Sequence, residues 1–342
     1  MNKEWNFKKK MLFLSMMLLS MILIPLLSVY GKKSVTSFKN PILENPESKK
    51  SINSNGSFCV LDEAKNEIVK IPEKEFLCGV VASEMPALFE EEALKAQAVA
   101  SYTYFCRERN KFKNLKHPEK KYEFTVDSCK GINYLSKEQM KIRWENNFEK
   151  FYSKIEKCVN DVFPEVIEDD GDLILAAYHA ISSGETETSE DVFGGNLKYL
   201  TNVESPGDKL AKGYESKVEV PVEVLKEKVT KEYKDCNFSD NPSDWIKDLS
   251  RTQGGMVKNI TIGSYKTTGK QVRNMFGLRS ADFNVSYDSQ ENKFIFTVYG
   301  YGHGVGMSQN GAQYMAKQGS NYKQILEWYY PNTSIKSLNK AD

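Results

Sequence analysis

Residues 73–109 have the sequence EKEFLCGVVASEMPALFEEEALKAQAVASYTYFCRER, which predicts two helices separated by a proline break. The first is a short apolar helix that ends at Met85 and Pro86, because proline disfavours helical backbone in the residue before it. In the second, apolar and small residues from Leu94 to Phe105 recur at helical spacing and share one face. This segment therefore predicts a pair of core helices with a sharp turn between them.

The flanking sequence alternates between extended and helical patterns. Strands are predicted as a hairpin at 57–72, a buried apolar strand at 173–182, and β-rich stretches at 256–267 and 283–300. Further helices are predicted at 136–160, which carries Trp144, Phe148 and Phe151, and at 311–331, as two helices separated by Gly319. A charged insert occupies 207–255. Since no regular βαβ alternation is present, we predict an α+β fold with mixed helices and β-sheet around a substrate groove.

The N-terminus predicts a membrane anchor. Three lysines at positions 8–10 precede an uncharged run at 11–30, which is long enough to span a bilayer as a helix. The lysines favour a cytoplasmic N-terminus, so the rest of the chain is expected outside the cytoplasm. A cleaved signal peptide is the alternative. We therefore predict an anchor at 1–30, a flexible tether at 31–56, and an extracytoplasmic domain at 57–342 that could divide into two subdomains.

The composition excludes few classes of protein function, but it argues against nucleic acid as a partner. The 342 residues include 47 Lys and Arg against 46 Asp and Glu, a net charge of +1, so no global field attracts a polyanion. The six cysteines are scattered without a C-x-x-C pair. One or two disulfides and buried free thiols are both compatible with this spacing.

Glu84 is the candidate acid catalyst. It stands at the end of the first core helix, before Met85 and Pro86, and Val80 and Val81 precede it. Apolar surroundings disfavour a charged carboxylate and raise its pKa, which keeps a glutamic acid protonated for general acid catalysis. A surface glutamate near the start of the next helix is the simpler alternative.

Two further segments carry candidate binding residues. The first, YGYGHGVGMSQNGA at 299–312, places His303 between glycines that allow a close approach of backbone to ligand, and a helix follows it. It lacks the Lys-Ser/Thr of a phosphate loop. The second, YHAISSGETET at 178–188, offers hydroxyl groups suited to a polyhydroxylated substrate, although a structural polar loop would have the same composition. Neither a G-x-S-x-G elbow nor H-E-x-x-H is present, which disfavours a serine hydrolase and a catalytic zinc.

The longest motifs resemble one known family. Residues 78–105, CGVVASEMPALFEEEALKAQAVASYTYF, are similar to the signature of the stage II sporulation protein D family, as are YHAISSGETE, GLRSADFNV and YGHGVGMSQNGAQYMAKQGSNYKQILEWYYPNT. The resemblance extends from residue 57 to residue 334. The family includes lytic transglycosylases of the engulfment machinery in spore-forming Firmicutes, and its relatives include amidase-enhancer proteins.

The resemblance implies a role, a substrate and partners. It implies that Glu84 of the E-M-P motif cleaves glycan, and that the substrate is peptidoglycan glycan strands already stripped of stem peptides. It implies stage II sporulation proteins P and M as partners. Some clostridial relatives hold zinc in a Cys/His cluster after the long helix, but here His117 and Cys129 flank a stretch without a second cysteine or histidine. We therefore predict no metal and no other cofactor.

A lytic transglycosylase needs one carboxylate, whereas glycosidases that use water need two. The sequence offers one motif-placed glutamate, Glu84, which agrees with the former. The residues predicted to bind substrate are Lys95, Gln97, Ser182, Ser183, His303, Ser308 and Gln309. The alternative functions are a non-catalytic glycan-binding protein that activates a cell-wall amidase and, more distantly, a zinc amidase.

Overall fold

The computed structural model describes residues 56–114, 121–126 and 133–338. The helices are α1 (Glu73–Glu84), α2 (Glu91–Asn114), α3 (Lys137–Trp144), α4 (Phe148–Val162), α5 (Ser189–Phe193), α6 (Val222–Glu232), α7 (Gly269–Phe276), α8 (Gln309–Lys317) and α9 (Tyr322–Tyr329). A 3-10 helix spans Pro206–Leu210, and shorter ones span Glu145–Asn147 and Pro242–Asp244.

The strands are β1 (Ser57–Asp62), β2 (Glu67–Pro72), β3 (Phe124–Val126), β4 (Glu165–Asp169), β5 (Asp172–Leu173), β6 (Tyr178–His179), β7 (Glu215–Pro221), β8 (Ile246–Arg251), β9 (Val257–Ile262), β10 (Tyr265–Thr267), β11 (Asp282–Asp288), β12 (Lys293–Tyr299), β13 (Met307–Ser308) and β14 (Ser334–Ser337). They form small sheets ordered β2-β1-β3, β10-β9-β8, β11-β12-β7, β13-β6 and β14-β4-β5. This mixture of helices with short, mostly antiparallel sheets is the α+β class that the sequence predicts.

Two hydrophobic clusters form the interior. The larger one packs α1, α2 and α4 with α8 and α9, and Phe58, Phe76 and Phe105 contact one another within it. The second cluster lies among β7–β12, α6 and α7, with Phe283 and Phe296 fully buried. The predicted charged insert supplies part of that second cluster through the apolar faces of β7 and α6, so it is a folded part of the protein.

The break between α1 and α2 follows the sequence prediction. Helix α1 ends at Glu84, and Met85 has extended backbone with φ −123° and ψ 145°. Extended backbone is what a following proline favours, and Pro86 follows here. The buried Met85 side chain then fixes the turn against the core, so the carboxylate of Glu84 is held at a helix end.

Two of the sequence predictions are wrong in detail. The helix predicted at 136–160 is interrupted after Trp144 by a 3-10 turn, where Glu145 has φ +46°, and continues as α4. The single strand predicted at 173–182 is two short strands, β5 and β6. Between them the backbone bonds to separate partners instead of one ladder: Leu175 N–H donates to the Tyr199 hydroxyl, and the Ala177 carbonyl accepts from Tyr330.

The predicted hairpin at 57–72, the β-rich stretches and the final helix pair are confirmed as β1–β2, β9–β12 and α8–α9. The predicted anchor at 1–30 and nearly all of the tether at 31–56 lie outside the described residues. Within the described residues, no helix is both long enough and apolar enough to cross a membrane. The five cysteines that are described are free thiols, and four of them are buried.

Candidate functional site

Glu84 is the centre of a hydrogen-bonded cluster built from three parts of the chain. Its Oε1 accepts a hydrogen bond from Asn133 Nδ2 at 3.0 Å, and its Oε2 accepts one from Gln309 Nε2 at 3.1 Å. Gln309 is buried as the first residue of α8, whereas Asn133 is exposed. The carboxylate is half-buried and held on both oxygens, which differs from a free surface glutamate.

A second amide connects this cluster to α2. Gln309 Nε2 also lies 3.3 Å from Gln97 Oε1, and Gln97 Nε2 donates to Ser101 Oγ at 2.9 Å. Gln97 and Ser101 are one helical turn apart and have no exposed surface. The two glutamines therefore form a buried amide pair whose only described carboxylate neighbour by hydrogen bond is Glu84.

The environment of Glu84 favours its protonated form. Burial raises the pKa of Glu84, and the hydrogen bonds from Asn133 and Gln309 oppose that effect without cancelling it. No neighbouring carboxylate contributes to this shift among the described residues. The carboxyl group of Glu84 is thus shifted toward its protonated form, and the described residues place no second carboxylate among the causes of that shift.

Tyr178 also belongs to this cluster, although sequence analysis did not select it. Burial and the charge of Glu84 raise the pKa of Tyr178 well above its usual value, while a hydrogen bond to the Ser101 side chain opposes them. Tyr178 is therefore neutral and close to Glu84. The signal was its place at the start of the YHAISSGETET segment, beside residues that sequence analysis did select.

Asp208 connects the segment 178–188 to the segment 299–312, and the sequence alone did not identify it as a site residue. Its Oδ2 accepts from Ser182 N at 2.8 Å and from Ser182 Oγ at 2.5 Å, and its Oδ1 accepts from Ser308 Oγ at 2.8 Å. Burial raises the pKa of Asp208, and these hydrogen bonds oppose the increase. Because Asp208, Ser182 and Ser308 are all buried, these serines align the loops, and their predicted contact with substrate stays a prediction.

The Gly-rich loop brings His303 against His179. The centroids of the two rings are 5.8 Å apart. Burial lowers the pKa of His303 to about 3 and that of His179 to about 4, so both imidazoles are neutral at pH 7. The close approach depends on glycine: Gly306 has φ +71°, and a Cβ there would lie 2.1 Å from the carbonyl oxygen of Ala177.

The remaining two predicted binding residues lie elsewhere. Lys95 forms ion pairs with Glu92 at 3.0 Å and Asp161 at 3.1 Å. Because residues two apart in a helix do not face each other, Lys95 is directed away from the side of α2 that carries Gln97. Ser183 Oγ donates to the carbonyl of Gly254 at 2.9 Å. A role for either side chain in substrate binding remains a prediction.

The described parts of the chain contain no group of three or more His, Cys, Asp or Glu side chains arranged to hold a metal ion. His117 and Cys129, the residues considered for zinc in the sequence analysis, lie outside those parts. The chemistry that this arrangement supports is proton donation by one carboxyl group.

Comparison with known proteins identifies relatives. The family model described as "Stage II sporulation protein" matches residues 62–168. The chain is 32% identical to Stage II sporulation protein D of Bacillus subtilis (strain 168), over 91% of this chain and 87% of that relative. It is 32% identical to Stage II sporulation protein D of Bacillus amyloliquefaciens, over 81% of this chain and 77% of that relative. It is also 26% identical to the protein named "Amidase enhancer" of Bacillus subtilis (strain 168), over 76% of this chain and 40% of that relative.

The matches to the two Bacillus proteins named D cover most of both chains, and the family model includes the segment with Glu84 and Gln97. The sequence motifs and this coverage agree: the chain belongs to the stage II sporulation protein D family.

Proposed function

We propose that this protein is a lytic transglycosylase that cleaves peptidoglycan glycan strands from which the stem peptides have been removed, with Glu84 as the general acid. The name of the family concerns sporulation, and the step we propose is wall cleavage during engulfment. The observation that carries the proposal is the half-buried Glu84 carboxyl. Burial raises its pKa, and its two oxygens accept hydrogen bonds from Asn133 and Gln309.

The reaction needs only this one carboxyl group. Protonated Glu84 gives its proton to the glycosidic oxygen, and the bond from that oxygen to C1 of muramic acid breaks. The C6 hydroxyl of the same sugar then bonds to C1, and its proton returns to Glu84. The products are a strand with a free 4-hydroxyl and a strand ending in a 1,6-anhydro sugar, with no water consumed.

The neighbours of Glu84 fit this cycle. Gln309 is held by Gln97, so its amide stays oriented toward the carboxylate in the interval when Glu84 is ionised. Neutral Tyr178 close to Glu84 offers a hydroxyl for a sugar oxygen. A glycosidase that uses water would need a second carboxylate about 5–9.5 Å from the first, and none among the described residues affects the pKa of Glu84.

A second candidate function has a specific observation in its favour. The similarity to a protein named "Amidase enhancer" supports a non-catalytic glycan-binding protein that activates a cell-wall amidase. The same residues around Glu84 would serve that role. Both functions predict glycan binding, so only product formation distinguishes them.

The setting that we propose follows from the family and from the N-terminal sequence. The protein acts outside the cytoplasm, held in the cell membrane by a single helix at 11–30. Its partners are stage II sporulation proteins P and M. An amidase partner in the same membrane would supply stripped strands without release into solution.

The decisive experiment is mass spectrometry of purified denuded strands after incubation with the purified protein alone. We expect new chain ends that are lighter by one water than hydrolysed ends. Intact strands would favour the amidase-activating function, and hydrolysed ends would contradict the anhydro-forming mechanism.

A further inference from the structure

Two arginines lie beside the Gly-rich loop that carries His303. Arg273 is on α7, and Arg279 follows shortly after the end of that helix. The carbonyl of Arg279 accepts a hydrogen bond from Gly302 N at 3.0 Å, and its guanidinium carbon lies 4.3 Å from the centroid of the Tyr301 ring. Tyr301 is 44% exposed. A cationic surface with an accessible aromatic ring therefore borders the loop.

Neither arginine forms an ion pair with a carboxylate in the described parts of the chain. Arg273 Nε donates to the carbonyl of Leu278 at 3.3 Å, and burial lowers the pKa of its guanidinium. Arg109, which is buried in the core, contrasts with this: it pairs with Glu73 at 2.7 Å. A partly desolvated cation without a counter-charge costs free energy, so its place beside the loop that carries His303 points to an anionic ligand.

The arginines are connected to the acid through a continuous series of neighbours. The charge of Arg273 contributes to the lowered pKa of both His303 and His179. His303 makes a hydrogen bond with the backbone of Tyr178, and the charge of Glu84 in turn acts on the Tyr178 hydroxyl. Arg273 is therefore linked to Glu84 through His303 and Tyr178, and Arg279 contacts the same loop at Gly302. A strand that is bound at Glu84 and extends over this loop would meet both cations.

We propose that Arg273 and Arg279 bind the free lactyl carboxylate of a muramic acid residue in a strand that lacks stem peptides. The inference deepens the proposed function and rests on it, because it assumes that glycan binds at Glu84. With a stem peptide attached, the lactyl group ends in an amide and carries no charge there. After removal of the peptide it ends in a carboxylate, which matches the planar donor pair of a guanidinium. This pair would then be the element that distinguishes stripped strands from peptide-bearing ones.

The test measures binding by the full-length protein in a Glu84→Gln background, so that the strands stay intact. The two probes are denuded strands and the same strands with their carboxylates converted to primary amides. We expect the free acid to bind about tenfold more tightly, which corresponds to about 1.4 kcal/mol, because a hydrogen bond to a charged group is stronger than one to a neutral amide. Added Arg273→Gln and Arg279→Gln should equalise the two affinities, and the pair Arg273→Lys with Arg279→Lys should keep part of the preference.

Arg143→Gln is the control for the loss of a positive charge at another place on the surface, because Arg143 is exposed on α3. It should retain the full preference. Equal binding of the two probes by protein with both arginines intact overturns the inference and leaves the proposed function standing; this comparison holds even if a variant fails to fold. A folded double glutamine variant that keeps the preference also overturns it. If the preference is present but protein with Glu84 releases no products, the proposed catalysis fails and the anion site remains.

Discussion

Gln309 Nε2 lies 3.1 Å from Glu84 Oε2, although the two residues are 225 positions apart in the chain. The bond joins the end of α1 to the start of α8 and so connects the two motif segments that sequence analysis treated separately. The first two predictions concern this pair.

Glu84→Gln should reduce cleavage of denuded strands by about a hundredfold or more, because the variant has no proton to donate. Its similar size should leave fold and glycan binding intact. Cleavage is measured by mass spectrometry, and binding by sedimentation with insoluble glycan. Glu75→Gln, an exposed position on the same helix, is the control and should retain activity. A Glu84→Gln protein with near wild-type turnover would rule out Glu84 as the acid.

Gln309→Ala should shift the pH dependence of cleavage. The Gln309 amide donates to the ionised carboxylate and so lowers the pKa of Glu84. Without it that pKa rises, and the loss of activity that accompanies ionisation of Glu84 should occur at higher pH. The rate is measured across a pH series. Gln318→Ala, exposed at the end of α8, should leave the profile unchanged, and an unmoved profile in Gln309→Ala would contradict the coupling.

Asp208→Ala should destabilise the fold by about 3–5 kcal/mol, because three buried donors from Ser182 and Ser308 lose their acceptor. The free energy of unfolding is measured in urea. Asp240→Asn, at an exposed position, should change it by less than about 0.5 kcal/mol. A loss below about 1 kcal/mol in Asp208→Ala would show that the loops do not depend on this residue.

Glu187→Gln should make the protein more stable at alkaline pH. Burial, with smaller contributions from Asp191 and Asp282, raises the pKa of Glu187 to about 7. The Oε2 of Glu187 is buried and has no hydrogen-bond partner among the described residues. The pKa of Glu187 is higher in the folded than in the unfolded protein. The contribution of protonated Glu187 to folding stability is therefore present at low pH and is lost as the pH rises through about 7.

The glutamine keeps Oε1 for Thr252 and Met256 without the charge. We expect a gain of about 2 kcal/mol at pH 8 and little gain at pH 5. Urea unfolding at the two pH values checks this. The exposed Glu190, replaced in the same way as Glu190→Gln, should show no such difference between the two pH values. Equal effects of Glu187→Gln at both pH values would contradict the burial argument.

The last prediction concerns location. The protein should remain with the membrane, and its folded domain should be degraded when protoplasts are treated with protease. The reason is the uncharged run at 11–30 after three lysines. Cell fractionation followed by immunoblotting measures membrane association, and immunoblotting of protease-treated protoplasts measures degradation of the folded domain. Recovery from the medium of a protein that lacks residues 1–30 would contradict the anchor, and protection from external protease would contradict the extracytoplasmic location.

The sequence predicted the features that depend on interactions between neighbouring residues in the chain. The proline after Met85 and the helical spacing in α2 placed Glu84 and Gln97 correctly on their elements. Asn133 and Asp208 were missed because only tertiary packing brings them to the motifs. Tyr178 lies within the segment 178–188, but only packing places it beside Glu84. Helical geometry alone could have separated Lys95 from Gln97, since two positions along a helix turn a side chain to another face. The strand predicted at 173–182 was wrong because burial does not specify which partner receives each backbone hydrogen bond.

The long separation of Glu84 from Gln309 also sets an order of events while the chain is made. Ribosomes add about 5–20 residues per second, so the 225 positions between the two residues correspond to roughly 11 to 45 seconds of synthesis. Throughout that interval the nascent chain already contains the acid but lacks the amide that orients it. A chain made in this order has no complete Glu84–Gln309 pair until residue 309 has been joined and α8 has docked. Any activity that depends on this pair can begin only after that point.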